Sequence, residues 1–375
     1  MPLSRTEVDL AGKPSERFSE VYNFRNLQSR SSLLQDKGVN IYRSALLKYA
    51  LDSDCKLFVE KYGIQTVVNL RGKKHNEESK LTDGADRILN YYPDEEGEPK
   101  QNGGRRLIRF DLFTEQTKAS VKKLILCWRF APLILLAAWV YVFGGFLKVL
   151  TCGCFRVPVE QMQAYLYSVA FNQLIASTMF DPVSNGGPMG TLYVMMLQNS
   201  QDILFEVLQV IAEPANRPAI FHCTSGKDRT GLIAMLLLGA VGDVSSEQIV
   251  QDYCQSNAWA LSSRHAMLAF GTKTHYLSAY THEQMAAPET AIRAALRFLD
   301  DTYGGIIPYL DHIGFGASWR EKLLLPDKGG VAKGSTDHNG YFDGAGGELK
   351  QILRLRRRKS ETRTSVFTST ESSDK

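Results

Sequence analysis

The chain has 375 residues, of which 44% are hydrophobic and 22% are charged, and its formal net charge is +4. This length suits one sizeable globular domain with appendages, or two small domains. The charge is too small to indicate nucleic acid, a membrane or an acidic substrate as a partner. No pair among the six cysteines has the spacing of a zinc site or of a small disulfide scaffold. We therefore expect a reducing compartment.

The predicted elements begin after a short leader. Residues 1–20 open with polar residues and lack the apolar core of a secretory signal, so we expect a flexible leader and a cytoplasmic chain. Short β-rich runs follow and alternate with longer helical or loop stretches. They are Val39–Tyr42, Thr66–Leu70, Leu107–Asp111 and Ala219–Cys223. This alternation predicts an α/β fold, with a mainly parallel sheet flanked by helices, over residues 21–325.

Hydrophobic periodicity predicts the helices of the second half. Gly190–Ala212 carries apolar residues at helical spacing and indicates an amphipathic helix. Leu232–Val241 is apolar on all sides, which is typical of a helix buried in the middle of a domain. Ser245 and Gln248 have the spacing of a capping box and should begin another helix. Two further helices are expected at Ala287–Tyr303 and Ile306–Ile313.

A hydrophobic stretch interrupts this pattern. Phe130–Leu147 contains no charged residue and is long enough to span a membrane. The strands predicted before and after it belong to one sheet, however, so they cannot lie on opposite sides of a bilayer. We interpret residues 118–158 as a hydrophobic helical insertion. It could be a lid over an active site, a membrane anchor on the surface, a re-entrant hairpin or a buried core helix.

Basic residues frame this insertion and also mark the end of the chain. Lysines and arginines within residues 122–156 suit an anionic membrane surface, which would give peripheral association. Residues 326–375 are rich in Gly, Lys, Ser and Thr, and they predict a disordered basic tail. Its run Arg354–Lys359 is typical of a solvated tail, and could also contact anionic lipid or act as a nuclear-import signal.

The segment Phe221–Gly231 carries the chemistry. A strand leads directly into a short polar loop, and an apolar helix follows at once. In such a loop, successive backbone N–H groups converge on one point and the helix N-terminus adds partial positive charge, so the segment predicts an anion pocket. Gly226 permits a backbone conformation that a Cβ would resist.

The residue types within this loop indicate phosphate chemistry. Cys223, placed among donors and cations, should ionise to a thiolate near neutral pH. Five residues separate it from Arg229, whose planar guanidinium can grip two phosphate oxygens. This layout suits a phosphocysteine intermediate that water then hydrolyses, with no metal and no organic cofactor. The expected phosphate-binding residues are Thr224, Ser225, Gly226, Lys227 and Thr230; Thr230 should also donate to the departing thiolate, and His222 should orient the loop.

The loop resembles the signature of the tyrosine phosphatases. With Lys227 and Asp228 inside it, the resemblance is narrower, to the bacterial and fungal tyrosine/serine phosphatases that also accept phosphoinositides. Other parts of the chain are similar to the same family, namely Asn23–Leu27, Ile41–Leu46, Tyr62–Arg71, Asp252–Tyr253 with Ser256 and Asn257, and Leu299–Gly305. The resemblance implies a tyrosine-phosphatase-like fold and phosphoprotein or phosphoinositide substrates, with no nucleic-acid partner.

A general acid must protonate the leaving group. The resemblance points to Asp228 for this role. Asp111 and Asp181 are alternatives, although each could be a turn or capping residue. Lys227 could contact additional phosphates or be a solvated residue of the rim. Arg43 and Arg71 could line the pocket or form structural ion pairs.

Three hypotheses follow for the function. The first is a phosphatase that uses Cys223 to hydrolyse phosphotyrosine, with phosphoserine, phosphothreonine and phosphoinositides as further substrates. The second is a catalytically idle module that binds phosphoinositides or phosphoproteins. The third is a sulfur-transfer enzyme with a loop cysteine, which Arg229 followed by Thr230 and Gly231 disfavours.

Overall fold

The computed structural model of the protein describes five stretches of the chain. The described stretches are residues 18–72, 87–93, 104–125, 186–259 and 286–328. Most of the predicted leader and nearly all of the predicted tail lie outside them. So do Asp181 and the uncharged run Phe130–Leu147. The predictions made for those residues stay predictions.

Packed residues extend beyond both predicted boundaries of the domain. Phe18, which the sequence placed in the leader, is buried, and its ring centroid lies 5.0 Å from that of Phe58. Asp327, which the sequence placed in the tail, has a side chain that is 7% exposed. Its carboxylate accepts a hydrogen bond of 2.9 Å from the backbone N–H of Asn40. The domain therefore begins before Val21 and continues past Leu325.

A sheet forms the centre of the domain. Its strands are β1 (Arg25–Asn26), β2 (Ile41–Ser44), β3 (Thr66–Asn69), β4 (Arg106–Arg109) and β5 (Ala219–His222). They are arranged in the order β1-β2-β5-β3-β4. β1 is antiparallel to β2, and the other neighbouring pairs are parallel. The predicted α/β class with a mainly parallel sheet is confirmed, whereas the short strand β1 was not predicted.

The register of the central strands positions the site. β2, β3 and β5 are buried along their whole length, as expected of parallel strands covered on both faces. Ser44 at the end of β2 and Asn69 at the end of β3 both lie opposite His222, the last residue of β5. The carboxyl ends of three strands therefore meet at one edge of the sheet, where the loop after β5 begins.

Helices flank this sheet. In the described residues they are α1 (Ser32–Asp36), α2 (Asp52–Glu60), α3 (Ile88–Tyr91), α4 (Glu115–Ile125), α5 (Gly187–Asn199), α6 (Gln201–Ala212), α7 (Asp228–Val241), α8 (Ser246–Cys254), α9 (Glu289–Tyr303), α10 (Ile306–His312) and α11 (Ala317–Leu323). α7 contains the predicted buried helix, and α8 begins after the predicted capping box at Ser245. None of the described helices is long and apolar enough to cross a membrane.

The helix predicted at Gly190–Ala212 is wrong in one respect, because it is two helices. α5 and α6 are separated at Ser200, whose backbone leaves the helical region at φ −125° and ψ 23°. The Ser200 side chain is buried and donates a hydrogen bond of 2.9 Å to the carbonyl of Leu112. Hydrophobic periodicity continues across the break, so the sequence pattern did not reveal it.

Candidate active site

The predicted anion loop lies at the carboxyl edge of the sheet. β5 ends at His222, the loop runs from Cys223 to Lys227, and α7 begins at Asp228. Cys223 is a free cysteine and is only 2% exposed. The sulfur-bearing residue therefore sits at the junction between a buried strand and a buried helix, as the sequence pattern predicted.

The carbonyl groups of this loop are held from outside. Four successive loop carbonyls accept hydrogen bonds from neighbouring parts of the protein. Cys223 O contacts Nδ1 of His222 at 3.2 Å, Thr224 O accepts from the N–H of Leu46 at 3.0 Å, and Ser225 O and Gly226 O each accept from Nδ2 of Asn23 at 3.1 Å. In a planar trans peptide the N–H points opposite to the carbonyl. The N–H groups of residues 224–227 therefore face the inner side of the loop, where an anion would bind.

His222 supports the loop as a neutral side chain. Burial lowers the pKa of His222 to about 3, and the positive charges of nearby arginines, among them Arg71 and Arg229, act in the same direction. A neutral imidazole carries one N–H, and at Nδ1 this group donates to the Cys223 carbonyl. This contact agrees with the orienting role that the sequence suggested for His222.

Gly226 is required by close packing as well as by its backbone conformation. Its φ is +65°, and a Cβ at this position would lie 2.4 Å from the carbonyl oxygen of Ser44. The loop thus packs directly against the end of β2. Glycine permits both the left-handed backbone and this close approach.

We expect Gly226→Ala to lower kcat/KM for an aryl phosphate on the order of 10²-fold, because the loop must move away from Ser44 and its N–H groups lose their common focus. Steady-state kinetics measures this loss of activity, and thermal unfolding shows whether the variant remains folded. The matched control is Gly38→Ala, since Gly38 has a φ of +66° but no atom within 4 Å of its Cβ position. An equal loss of activity in both variants would contradict the steric explanation.

A buried ionic network lies behind the loop. Arg43 donates through Nη2 to the Gly226 carbonyl at 2.7 Å and through Nη1 to the carboxylate of Asp252. Arg25 donates through Nε to the other oxygen of this carboxylate at 2.8 Å. Arg43 is completely buried. Of the two roles suggested for Arg43, these contacts support the structural ion pair, and its guanidinium also donates to the loop carbonyl of Gly226.

Asp252 balances the charge of both arginines. Burial opposes ionisation of its carboxyl, but Arg25 and Arg43 outweigh burial and lower the pKa of Asp252 to about 2. The unfolded chain restores the ordinary value of 3.8, so Asp252 binds protons more readily when unfolded. Its contribution to stability is complete above about pH 4 and is lost as the pH falls toward 2.

We expect Asp252→Asn to lower the free energy of unfolding by about 3 to 5 kcal/mol at neutral pH, since two arginines lose their buried counterion. The difference in unfolding free energy between the variant and the wild type should shrink as the pH is lowered through the range in which wild-type Asp252 becomes protonated. Urea unfolding at several pH values measures both effects. Glu247→Gln, which breaks an exposed ion pair with Arg293, should cost less than about 1 kcal/mol. Comparable losses in the two variants would contradict a structural role for the buried pair.

Arg229 extends across the pocket. Its Nη1 lies 3.3 Å from the carbonyl oxygen of Leu70, and its Nη2 lies 3.4 Å from Oγ1 of Thr224. Both bonds are long, and one partner follows β3 while the other belongs to the loop. This placement fits a guanidinium that can turn toward an anion held between them.

Thr230 and Arg71 lie close to the same loop. Thr230 is fully buried, and the described residues provide no hydrogen-bond partner for its Oγ1. Its predicted donation to the thiolate stays a prediction. Arg71 follows β3 and forms an isolated β-bridge with Asp111, and its N–H donates to Oδ1 of Asn69 at 3.0 Å.

Lys227 does not occupy the rim of the pocket. Its side chain is buried, and Nζ donates to the carbonyl of Ala286 at 2.8 Å. The interpretation of Lys227 as a solvated rim lysine is therefore wrong. Nζ also lies 3.5 Å from Oδ1 of Asp228. The predicted contact of Lys227 with phosphate stays a prediction.

The two described candidates for the general acid differ in position. Asp228 directly follows the loop, its side chain is 23% exposed, and Oδ1 accepts a hydrogen bond of 2.5 Å from the Tyr193 hydroxyl. Asp111 follows β4, two strands away from β5, and its Oδ1 accepts from the N–H of Phe113 at 3.0 Å. Its Oδ2 lies 3.7 Å from Nζ of Lys118. The Asp111 side chain thus stabilises a turn, as the alternative interpretation of that residue expected.

Within the described parts of the chain, no group of three or more His, Cys, Asp or Glu side chains could hold a metal ion. The functional groups gathered at this edge of the sheet are therefore a buried thiol, a ring of backbone donors, an arginine and a carboxyl group. Such a set has the chemistry to bind a tetrahedral anion beside a thiol nucleophile.

Comparison with known proteins agrees with this arrangement. Residues 17–324 match the tyrosine phosphatase family, and the chain belongs to this family. A tyrosine-protein phosphatase of Nostoc commune is 46% identical over 68 residues, which are 18% of this chain and 23% of the relative. The triple specificity protein phosphatase PtpB of Mycobacterium tuberculosis is 32% identical over 126 residues, which are 31% of this chain and 45% of the relative. These matches span less than half the length of either relative.

Four residues with a place at the site were not assigned one from the sequence. Asn23 binds two loop carbonyls, Arg25 and Asp252 belong to the ionic network that includes Arg43, and Tyr193 contacts Asp228. The first three fall within stretches that resemble the family, so a signal existed without a role attached to it. Tyr193 lies in a helix whose hydrophobic periodicity indicated only that one face packs against the core.

Proposed function

We propose that the protein is a cysteine-dependent phosphatase that hydrolyses phosphate monoesters, phosphotyrosine among them, through a phosphocysteine intermediate. The observation that carries this proposal is the loop itself. Its carbonyls accept hydrogen bonds from outside the loop, which leaves its N–H groups to the inner side, and Arg229 contacts Thr224 of the same loop that begins at Cys223. Membership of the tyrosine phosphatase family supports the same reaction.

In the first step the Cys223 thiolate attacks phosphorus. A sulfur–phosphorus bond forms, and the ester bond between phosphorus and the leaving oxygen breaks. The Asp228 carboxyl supplies a proton to that oxygen, and the alcohol or phenol departs. The guanidinium of Arg229 and the loop N–H groups stabilise the negative charge on the equatorial oxygens in the transition state.

In the second step a water molecule attacks the phosphocysteine. The Asp228 carboxylate accepts a proton from the water as the new oxygen–phosphorus bond forms and the sulfur–phosphorus bond breaks. Thr230 donates its hydroxyl to the departing thiolate, a role that the buried and unpartnered Oγ1 among the described residues supports. Inorganic phosphate leaves, and Cys223 and Asp228 return to their starting states.

The substrate range is part of the proposal. One relative is named a triple specificity protein phosphatase, which supports a range wider than phosphotyrosine. We extend this range to phosphoserine and phosphothreonine peptides and to phosphoinositides. A lipid substrate would also account for the basic residues around the hydrophobic insertion, which the sequence related to an anionic membrane surface.

Phosphate release by the purified full chain tests the proposed function. The substrates are a phosphotyrosine peptide, a phosphoserine peptide and phosphoinositides in vesicles, each with and without orthovanadate. We expect release from the phosphotyrosine peptide and inhibition by vanadate, which imitates the phosphoryl group in the pocket. Binding to the substrates without any release would favour the idle module. Cyanide-dependent consumption of thiosulfate in place of phosphate release would favour sulfur transfer.

A further inference from the structure

Two buried tyrosine hydroxyls form a chain that ends on Asp228. Tyr193 of α5 donates to Oδ1 of Asp228 at 2.5 Å, and its oxygen lies 2.7 Å from the hydroxyl oxygen of Tyr253 in α8. Both rings are buried, with at most 1% exposed. Helices α5, α7 and α8 therefore meet at a hydrogen-bonded line that ends at Asp228, the residue directly after the anion loop.

The direction of donation along this line is determined by its end. Oδ1 of Asp228 accepts a hydrogen bond both when the carboxyl group is ionised and when its proton is on Oδ2, so the single Tyr193 proton points to Oδ1. The Tyr193 oxygen is then the acceptor for the Tyr253 proton. Burial, followed by the negative charge of Asp228, raises the pKa of both tyrosines well above the ordinary value. Both hydroxyls therefore keep their protons over the working range of the enzyme.

The two oxygens of Asp228 have different surroundings. Oδ1 receives the Tyr193 hydroxyl and lies 3.5 Å from Nζ of Lys227. In the part of the chain that the structure describes, Oδ2 has no hydrogen-bond partner, and the side chain is 23% exposed. Contacts on one oxygen fix the rotation of the carboxyl group and leave the other oxygen able to carry a proton.

We propose that Tyr193 is a positioning residue that holds Asp228 by Oδ1, so that Oδ2 exchanges the proton with the leaving group and the water, and that Tyr253 supports it from behind. This inference rests on the proposed function of Asp228 as the general acid and base. Neither tyrosine touches the substrate. Their effect is to keep the carboxyl group in the orientation that proton transfer requires.

Packing alone does not require this hydroxyl chain. The Tyr253 ring lies against Gly231, where an added Cβ would come within 2.9 Å of Cδ2. A phenylalanine keeps that ring and its contacts and removes only the hydroxyl. Tyr-to-Phe variants therefore separate positioning of Asp228 from packing of the helices.

The experiment measures kcat/KM for a series of aryl phosphates whose leaving groups range from good to poor. A good leaving group departs without a proton, so only the poor ones depend on the acid. We expect Tyr193→Phe to slow the poor leaving groups about 10-fold and to leave the best one within about twofold, as a partial loss of acid catalysis predicts. Tyr253→Phe should show the same trend with a smaller loss. Inhibition by inorganic phosphate should stay unchanged, because the anion loop is intact.

Tyr309→Phe is the matched control, because its buried hydroxyl donates to the Leu197 carbonyl of α5 at 2.7 Å, on the same helix as Tyr193. It should slow every substrate equally or none, and thermal unfolding shows whether the variants remain folded. A loss in Tyr193→Phe that is the same for all leaving groups, or no loss at all, would overturn the positioning role.

Asp228→Asn distinguishes this result from failure of the proposed function. If Asp228→Asn slows the poor leaving groups and Tyr193→Phe does not, the acid stands and the positioning role is overturned. If Asp228→Asn itself shows no dependence on the leaving group, then Asp228 is not the acid and the positioning role is overturned with it, whereas the cysteine-dependent phosphatase fails only if the wild type releases no phosphate.

Discussion

Cys223→Ser is expected to lower phosphate release on the order of 10⁴-fold or more, to the level of the background. A serine hydroxyl does not ionise near neutral pH, so the variant lacks the nucleophile that the first step needs. The shape of the loop should be preserved. Its carbonyls are bound by Asn23 and Arg43, and neither contact involves the Cys223 side chain. Steady-state release from a phosphotyrosine peptide measures the loss.

Binding and a second cysteine provide the controls for this variant. Cys223→Ser should still bind the phosphopeptide, because the backbone donors and Arg229 remain, and calorimetry can measure this. Cys254→Ser replaces a partly buried cysteine of α8 and should keep activity within about twofold. Turnover by Cys223→Ser within tenfold of wild type would show that another group is the nucleophile.

Arg229→Lys is expected to lower kcat/KM by about 10² to 10³-fold. Lysine keeps the positive charge but loses the planar fork. In the structure the two terminal nitrogens of Arg229 contact different groups, the Leu70 carbonyl and the Thr224 hydroxyl. An ammonium group cannot contact two phosphate oxygens in that way, so part of the loss should be in kcat as well as in KM.

A surface arginine gives the matched control for this substitution. Arg293→Lys changes an exposed residue that pairs with Glu247 and Glu289, and it should leave activity within about twofold. If Arg229→Lys is as active as Arg293→Lys, a point charge suffices at the loop. The assignment of Arg229 as a bidentate phosphate ligand would then be wrong.

Local patterns predicted the parts of this protein that are local. The strand Ala219–His222, the loop after it and the apolar helix α7 are continuous in sequence, so their residue types and order indicate the anion pocket directly. The buried strands were recognisable for the same reason, since parallel strands covered on both faces are short apolar runs.

Contacts between residues far apart in the chain could not be predicted from the sequence. Arg43 and the Gly226 carbonyl are separated by 183 residues, and Arg25 and Asp252 by 227. Residue types alone do not distinguish an arginine that binds substrate from one that supports a loop. Lys227 shows the same limit, because its ammonium is bound to the distant carbonyl of Ala286. The break at Ser200 depends on a hydrogen bond to Leu112, which periodicity does not report.

The central claim is that Cys223 carries the phosphoryl group during turnover. An aryl phosphate with a good leaving group makes hydrolysis of the intermediate slow relative to its formation, so the phosphoenzyme accumulates. Quenching the reaction in acid and analysing the peptides by mass spectrometry locates the phosphoryl group. We predict that it lies on the peptide containing Cys223 and is absent in Cys223→Ser. Phosphate release by the wild type with the phosphoryl group on another residue, or on none, would contradict the account.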